Sequence, residues 1–195
     1  WESGYEMHTG HRYFYTGDFT IHKTQDSYVS VRTSSSRTIG GEAWGGNGQT
    51  NTYMGDGGMW IFNDAERVYG SSFLACMDWD RMPGVTLLKN TLPQRFFSYW
   101  MVAEPYVGGV SDGTGGVSAM NLSHISIPLA AQKSWFFFDD EVVCLGSGIQ
   151  SESEDEALTV IDQREDTGGA VTVNGQINVG EANSQQKLEN VQWIS

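Results

Sequence analysis

Hydrophobic and polar residues alternate along short segments of this chain, and turn-forming residues separate those segments. Residues 19–23 and 27–33 each alternate with a period of two, and a polar turn lies between them. This spacing predicts a β-hairpin. Residues 58–62 form a continuous apolar run of strand length bounded by turn residues, which predicts a third strand.

The second half of the chain contains the clearest hairpin pattern. The apolar runs 134–138 and 142–145 flank the acidic turn Asp139–Asp140–Glu141, so we expect two buried antiparallel strands with the acids at the tip. Residues 117–122 also alternate, whereas residues 104–116 contain five glycines and few apolar side chains. We expect a loop over 104–116.

Other segments give weaker signals. Residues 65–76 are compatible with a short helix or an irregular connection, and Pro83–Gly84 predicts a turn with a positive φ at the glycine. Further strand candidates are residues 170–173 and 190–194. Many short strands with no long helical period predict an all-β fold, an antiparallel β-sandwich.

Composition agrees with this fold class. The 195 residues include 24 Gly, seven Trp, eight Tyr and nine Phe, and aromatic side chains suit a pleated surface while glycine interrupts helices. The length favours a single domain with a sizeable core. No apolar run is long enough to span a membrane, so we expect no membrane segment.

The net charge of −13 is unevenly distributed. Residues 1–40 are neutral, with four Lys/Arg and four Asp/Glu, while residues 139–195 have two Lys/Arg and twelve Asp/Glu. We expect no nucleic-acid partner on this basis, because phosphate binding requires a basic surface that no segment supplies by composition. A polyanionic ligand would have to contact the neutral first segment or another chain.

The two cysteines, Cys76 and Cys144, lie within apolar, strand-like runs. They are too few for a disulfide framework, and neither has a His or Cys at metal-ligand spacing. We expect small buried hydrophobic residues. His22 and His124 lie in alternating segments, where a satisfied or surface imidazole is commoner than a catalytic one.

Candidate chemistry is concentrated in the loop of residues 34–60, which is rich in glycine and amides. No nucleophile motif, phosphate-binding loop or metalloprotease motif occurs in the chain. Four polar or aromatic residues of the loop are therefore the candidate site: Arg37, Glu42, Trp44 and Asn47. Such a group could contact a carbohydrate, and a mobile hairpin connection is the alternative.

A set of motifs in a fixed order resembles polysaccharide lyase family 8, which contains hyaluronate, chondroitin and xanthan lyases. The matching residues are Ser35–Thr38, Glu42, Tyr53-x-x-Asp56-Gly57, Asp78-Trp79-x-Arg81-Met82-Pro83-Gly84-Val85-Thr86, Lys133–Ile149 and Thr159–Arg164. Together they cover roughly residues 16–165 and are specific only in combination.

The resemblance implies a helical toroid followed by a large antiparallel supersandwich of several sheets, similar to galactose mutarotase. On that basis residues 1–17 are expected to be an arm or linker from a helical domain, and residues 18–195 the first part of the central sandwich. The helical domain and later sandwich strands would complete the enzyme, so we expect the 195 residues alone to be inactive and to have unpaired sheet edges.

The reaction implied by the resemblance is β-elimination on an acidic, uronate-containing polysaccharide, in a secreted or periplasmic enzyme. The family's helical domain supplies the Asn, His, Tyr and Arg of the elimination. Glu42 matches the sandwich-domain glutamate that orients those side chains, a supporting role. Arg37, Trp44 and Asn47 are the expected substrate contacts. No cofactor is implied, and the acidic run 152–156 lacks the spacing of a known calcium loop.

One position departs from the family pattern. Many members have an Asn three residues after the glutamate, whereas this chain has Gly45, and Asn47 is the candidate substitute. This departure supports a rival hypothesis from another functional class, a non-catalytic carbohydrate-binding or structural β-module.

Overall fold

In the computed structural model, the described part of the chain is almost entirely β-structure. The structure describes residues 8–42, 53–63, 71–91, 99–100, 102–123, 127–164, 171–178, 186–192 and 194. The strands are β1 (Gly10–Phe14), β2 (Phe19–Lys23), β3 (Ser27–Arg32), β4 (Gly41–Glu42), β5 (Gly58–Asn63), β6 (Thr86–Leu88), β7 (Tyr99–Trp100), β8 (Val107–Ser111), β9 (Gly116–Ser123), β10 (Leu129–Phe137), β11 (Val142–Ser151), β12 (Ala157–Thr159), β13 (Val171–Val173) and β14 (Gln176–Asn178). A short helix, α1 (Ser71–Cys76), and a 3-10 turn (Trp79–Arg81) accompany them.

Two four-stranded antiparallel sheets form the framework of the first compact unit, residues 1–163. The first sheet has the order β1-β2-β3-β5, and the second has the order β11-β10-β9-β8. The predicted hairpin is β2–β3. The hairpin around the acidic turn is β10–β11, with Phe137 opposite Val142 and Trp135 opposite Cys144. Asp139, Asp140 and Glu141 are exposed at its tip, as expected.

One continuous core joins the two sheets. It contains Val29, Val31 and Met59 from the first sheet and Met120, Leu122, Leu129, Ala131, Trp135 and Phe137 from the second. Burying each large apolar side chain of this kind stabilises the fold by about 2 kcal/mol. The predicted all-β antiparallel sandwich is confirmed.

A second core lies around α1 and the 3-10 turn. Its buried members are Tyr53, Phe73, Met77, Met82, Val85 and Leu87, and Trp60 and Trp79 pack against it with ring centroids 6.5 Å apart. The segment 65–76 therefore contains a short helix over its last six residues; residues 64–70 lie outside the described part. Gly84 adopts φ +84°, which confirms the predicted turn.

The loop predicted over residues 104–116 is wrong, because Val107–Ser111 forms strand β8 and pairs with β9. A close contact explains one of the two glycines of this strand, Gly109. A Cβ atom on Gly109 would lie 2.7 Å from the ring of Tyr13 and 3.0 Å from the Val117 carbonyl oxygen. Glycine is thus required at Gly109 by packing and does not interrupt the strand.

Three burial predictions are also wrong. Strand β11 is mostly exposed, whereas β10 alternates between buried and partly exposed residues. Cys144 on β11 and Cys76 at the end of α1 are both exposed free thiols. Val142 and Cys144 lie opposite the buried Phe137 and Trp135, and Cys144 Sγ lies 3.9 Å from Met59 Sδ. Their exposure is therefore that of an edge strand, since β11 has a described partner on one side only.

His22 is neither at the surface nor satisfied. It lies opposite His11 on the neighbouring strand, and each residue is 3% exposed. Both rings pack against Phe137, with centroid distances of 4.8 Å from His11 and 5.7 Å from His22. None of the four ring nitrogens has a hydrogen-bond partner within the described residues. His124 lies outside the described residues.

The second compact unit comprises residues 164–195. Strands β13 and β14 form a hairpin, and Val173 makes a single bridge to Ile194. The strand predicted over residues 170–173 is confirmed from Val171, while residues 190–194 contribute only that bridge among their described positions. At the other end, residues 10–14 of the expected N-terminal arm form β1.

Candidate functional site

The loop that leads to Glu42 is fixed at its start by the buried carboxylate of Asp18. Asp18 lies in the β1–β2 turn with φ +47° and is 0% exposed. The Tyr13 hydroxyl and the Ser35 hydroxyl each donate to it at 2.9 Å, and the Thr38 hydroxyl donates to the same oxygen as Ser35. The backbone N–H and hydroxyl of Thr33 donate to the Asp18 carbonyl oxygen at 2.9 and 2.7 Å. We call this arrangement the Asp18 clamp.

Arg37 extends from the clamp towards solvent. Its Nη2 lies 3.4 Å from Asp18 Oδ1 and donates to the Val107 carbonyl oxygen at 3.2 Å, and its side chain is 54% exposed. A surface ion pair of this kind contributes little to stability. The arrangement instead fixes one nitrogen and leaves the rest of the guanidinium accessible, where it can donate to an anionic ligand.

The backbone at Glu42 is held by a separate strand. Gly41 lies opposite Trp100 and Glu42 opposite Tyr99 in the β4–β7 pair. Earlier in the loop, the Ser34 hydroxyl donates to the Gly55 carbonyl oxygen at 2.8 Å, and the Ser36 N–H donates to the Glu104 carbonyl oxygen at 2.9 Å. The loop therefore contacts several segments before it reaches Glu42.

The structure thus places two of the four candidate site residues. Arg37 and the backbone of Glu42 lie on one loop, five positions apart. The Glu42 side chain, Trp44 and Asn47 lie outside what the structure describes, so their roles stay predictions. Asp18, which organises the loop, was missed because nothing in its local sequence distinguishes it from an ordinary turn aspartate.

Tyr13 acts as a donor in the clamp and does not act as a base. Burial raises the pKa of its hydroxyl, and donation to Asp18 raises it further. The phenol therefore stays protonated at any physiological pH. Its role is to hold Asp18.

The remaining family motifs meet at a second place, around Lys133. The nearly buried Lys133 ammonium donates to the Gly84 carbonyl oxygen and lies 5.6 Å from the Trp135 ring centroid. Burial lowers the pKa of Lys133 to about 8, and the carboxylate of Asp56 opposes this effect.

Backbone contacts connect the same motifs. The Met59 N–H donates to the Pro83 carbonyl oxygen at 2.9 Å, and the Gly84 N–H donates to the Val160 carbonyl oxygen at 2.8 Å. A Cβ atom on Gly57 would lie 2.8 Å from the Trp135 ring. We call this cluster the motif junction; its contacts join sheets and turns, and none of the contacts named here involves Arg37 or Glu42.

An open groove of about 530 Å³ lies elsewhere, at the ends of β8, β9 and β10. Its lining includes Asp112, Phe138 and Asp139 and contains no Lys or Arg. Backbone N–H groups of Gly115 and Thr114 lower the pKa of Asp112 to about 2, so that carboxylate is ionised. An acidic polymer would be repelled from this groove.

No group of three or more His, Cys, Asp or Glu side chains in the described residues could hold a metal ion. Within the same residues, no helix has the length and hydropathy to cross a membrane.

Comparison with known proteins agrees with the sandwich and its motifs. The family model of the super-sandwich domain of polysaccharide lyase family 8 matches residues 9–195. Chondroitinase-AC of Pedobacter heparinus is 31% identical over 180 residues, which cover 91% of this chain and 25% of that protein. Xanthan lyase of a Bacillus species is 35% identical over 168 residues, covering 85% of this chain and 17% of that enzyme.

A solved structure gives the same result. The xanthan lyase of Paenibacillus superimposes with a TM-score of 0.87 at 28% identity, covering 95% of this chain and 18% of that one. The chain therefore spans a quarter or less of the length of these relatives. The chain belongs to polysaccharide lyase family 8, and its two-sheet framework is part of that family's super-sandwich domain.

Proposed function

We propose that this chain is the sandwich segment of a lyase that cleaves an acidic, uronate-containing polysaccharide of the hyaluronan, chondroitin or xanthan type. The observation that carries the proposal is the family match over residues 9–195. The loop geometry supports it, because the Asp18 clamp holds a partly exposed guanidinium on the same loop as Glu42, five positions before it.

The proposed reaction is β-elimination. A base removes the proton at C5 of the uronate, the C4–O glycosidic bond breaks, and a C4=C5 double bond forms as the leaving oxygen is protonated. Neutralising the adjacent carboxylate lowers the barrier to proton removal, and cationic or amide donors placed in advance serve that purpose. Arg37 is one cation that this chain offers for contact with the polymer.

Glu42 acts as a positioning residue in this proposal. An ionised carboxylate can hold an Arg or His from another part of the enzyme in its working orientation. Trp44 and Asn47, on the same loop, are proposed to contact the sugar. Residues 18–195 would form the first part of the central sandwich, after an arm from a helical domain, in a secreted or periplasmic enzyme that encounters its polymer outside the cytoplasm.

The test compares the 195-residue chain with the whole enzyme on hyaluronan, chondroitin sulfate and xanthan. Ultraviolet absorbance of the unsaturated uronate measures elimination. We expect product from the whole enzyme on one of these polymers and none from the chain alone, because the groups that remove the proton belong to the helical part. Activity of the isolated, monomeric chain would contradict the proposal that proton removal depends on the helical part.

A non-catalytic carbohydrate-binding module is the second candidate, and Gly45 favours it, since many family members have an Asn at that position. A whole enzyme that binds one of the three polymers and releases no unsaturated product would support this alternative.

A further inference from the structure

The outward side of the first sheet carries an unusual combination of side chains. Strand pleating directs alternate residues outward, and the register places Arg12 beside Ile21, Lys23 beside Tyr28, and Arg32 beside Phe19. Trp60 on β5 also lies on the outward side, where it packs against the second core. The remaining outward cationic and aromatic residues of this sheet are Arg12, Phe14, Phe19, Lys23, Tyr28, Arg32 and Phe62. We call these seven residues the basic–aromatic face.

Two cations of this face are unpaired. Arg12 and Lys23 make no ion pair with any carboxylate in the part of the chain that the structure describes, whereas Arg81, Lys89 and Lys187 each do. Arg12 is exposed and Lys23 half-buried. In a chain of net charge −13, free cations gathered on one side create a local attraction for an anion that the rest of the surface repels.

One carboxylate from outside this sheet lies near β1: Asp112 acts on the pKa of His11, and the His11 N–H donates to the carbonyl oxygen of the adjacent Gly113 at 2.9 Å. Of the two acids in the turns that join β1, β2 and β3, Asp18 is buried in the clamp, and Asp26 lies in the β2–β3 turn, beyond the end of the strand. The second sheet differs, because its outward positions on β9 and β10 carry no Lys or Arg. The positive charge is therefore specific to the first sheet.

Aromatic pairs flank the cations. The Phe14 and Phe19 ring centroids lie 6.4 Å apart, and the Tyr28 and Phe62 centroids 5.8 Å apart. Phe14 and Phe62 are 40% and 41% exposed. The rows that hold the two pairs are four residues apart along β2, or about 13 Å. Exposed rings of this kind mark a binding surface more often than a random apolar side chain does.

The face runs directly into the loop of the candidate site. Arg32, at the end of β3, donates from Nη2 to the Ile39 carbonyl oxygen at 3.0 Å. Arg37, five residues further along, contacts the clamp. The row of Phe14, Phe19 and Arg32 thus adjoins the loop that leads to Glu42.

We propose that the basic–aromatic face is an accessory binding surface for an acidic polysaccharide, outside the reacting centre. Arg12 and Lys23 attract the carboxylate or sulfate groups, and the Phe14–Phe19 and Tyr28–Phe62 pairs pack against the apolar faces of the sugar rings. The inference rests on the proposed function for the class of polymer. Its occupant is the same polymer that is cleaved elsewhere, held at a distance from the bond that breaks.

The experiment measures the affinity of hyaluronan and chondroitin sulfate oligosaccharides for the purified whole enzyme by titration calorimetry, at low and at physiological salt. The test variant is Arg12→Ser with Lys23→Ser. The matched control is Arg81→Ser with Lys89→Ser, which removes the same charge from a different surface. A neutral glucan of equal length is the ligand control.

We expect the face variant to lose about tenfold in affinity at low salt, which corresponds to about 1.4 kcal/mol, and to show a weaker salt dependence. The control variant should stay within about twofold of the parent. The charge-retaining variant Arg12→Lys with Lys23→Arg should bind like the parent. Such binding would show that the affinity lost in the Ser variant comes from the missing charges and not from misfolding. Phe14→Leu should weaken binding at both salt concentrations.

Equal losses in the face and control variants would overturn the proposal, since net charge alone would then explain binding. Unchanged affinity of the face variant would also overturn it, including the case in which another part of the enzyme covers the face. Tight binding of the neutral glucan would refute the proposal that the face requires an acidic ligand. Formation of unsaturated product by the parent whole enzyme is measured in parallel. If the parent forms product and the face variant binds as tightly as the parent, only the proposal for the face is refuted. If the face variant loses binding and the parent forms no product, the proposed lyase function is refuted and the face stays supported.

Discussion

Asp18 and Arg37 are nineteen positions apart in the sequence, yet Asp18 Oδ1 lies 3.4 Å from Arg37 Nη2. One partner is fully buried and the other is more than half exposed. The pair therefore contributes less to stability than to placement: the buried carboxylate fixes the base of the loop, and the exposed guanidinium projects from it. This relationship links the β1–β2 turn to the candidate site.

Replacing Asp18 by Asn should weaken the loop. Asn tolerates the positive φ, but its amide group removes one accepting oxygen from the donors Tyr13, Ser35, Thr38 and Arg37. We expect a loss of about 1–3 kcal/mol in the free energy of unfolding, measured by urea denaturation. Asp26→Asn, in an exposed turn, is the control and should change stability by less than about 0.5 kcal/mol. Equal effects would argue against the clamp.

Glu42→Gln tests the positioning role of the glutamate in the whole enzyme. If Glu42 orients a cationic or imidazole group, the variant should fold and bind polymer normally while its elimination rate falls by a factor on the order of a hundred. Turnover at saturating polymer, normalised to folded protein, measures this effect. Unchanged turnover with about 1 kcal/mol lower stability would reduce Glu42 to a structural role in its turn.

Two adjacent glycines of β8 provide a matched pair of variants. Gly109→Ala should destabilise the protein by about 1–3 kcal/mol, because the added methyl group meets the Tyr13 ring. Gly108→Ala meets nothing within 4 Å and should be neutral or stabilise by up to about 1 kcal/mol. Thermal unfolding of both proteins gives the comparison. Similar shifts in the two variants would contradict the packing explanation.

The buried His11 should make stability fall in mild acid. Burial lowers its pKa, and the neighbouring His22 lowers it further, against the opposing effect of Asp112. Folding therefore favours the neutral ring, and the unfolded chain binds more protons once the pH falls below about 6.5. Stability is complete above that pH and decreases as the pH falls towards the lower folded pKa.

His11→Leu should flatten this dependence. An apolar side chain of similar size also removes a buried polar group without a partner in the described residues, so stability at neutral pH should be equal or higher. Urea denaturation at pH 7.5 and pH 5 measures both effects. His8→Asn, at an exposed position, should retain the acid sensitivity of the parent. A variant His11→Leu that is as acid-sensitive as the parent would show that other groups cause the loss.

The sequence predicts those strands in which the alternation of polar and apolar residues matches the side of the sheet that each side chain faces. The alternation in residues 19–23 and 27–33 corresponds to a hairpin because one side faces the core. Strand β8 could not be predicted, since Gly109 is required by contact with Tyr13, almost a hundred residues away. The exposure of Cys144 was missed for a similar reason, because an apolar run does not reveal whether its strand lies at the edge of a sheet.

The same limit applies to the candidate site. Arg37 was identified from its place in a polar loop and a family motif. Asp18, Tyr13 and Thr33 were not, because their roles depend on contacts between separate turns. The outward cations of the first sheet were visible only as a segment of neutral net charge; strand register was needed to place Arg12, Lys23 and Arg32 on one side.

The motif junction changes what the family's sequence signature means. Contacts constrain the packing of four of its residues: Lys133, Gly84, Gly57 and Trp135. A substitution at one of them alters the packing of the others, so the effects of such substitutions on stability should not be additive. These constraints act on every folded copy, whether or not it reacts with a polymer. A descendant that had lost catalysis would still carry the signature intact, and motif searches would group it with working enzymes. Under the proposed function, activity is better judged from Glu42 and from the clamp that fixes the start of its loop.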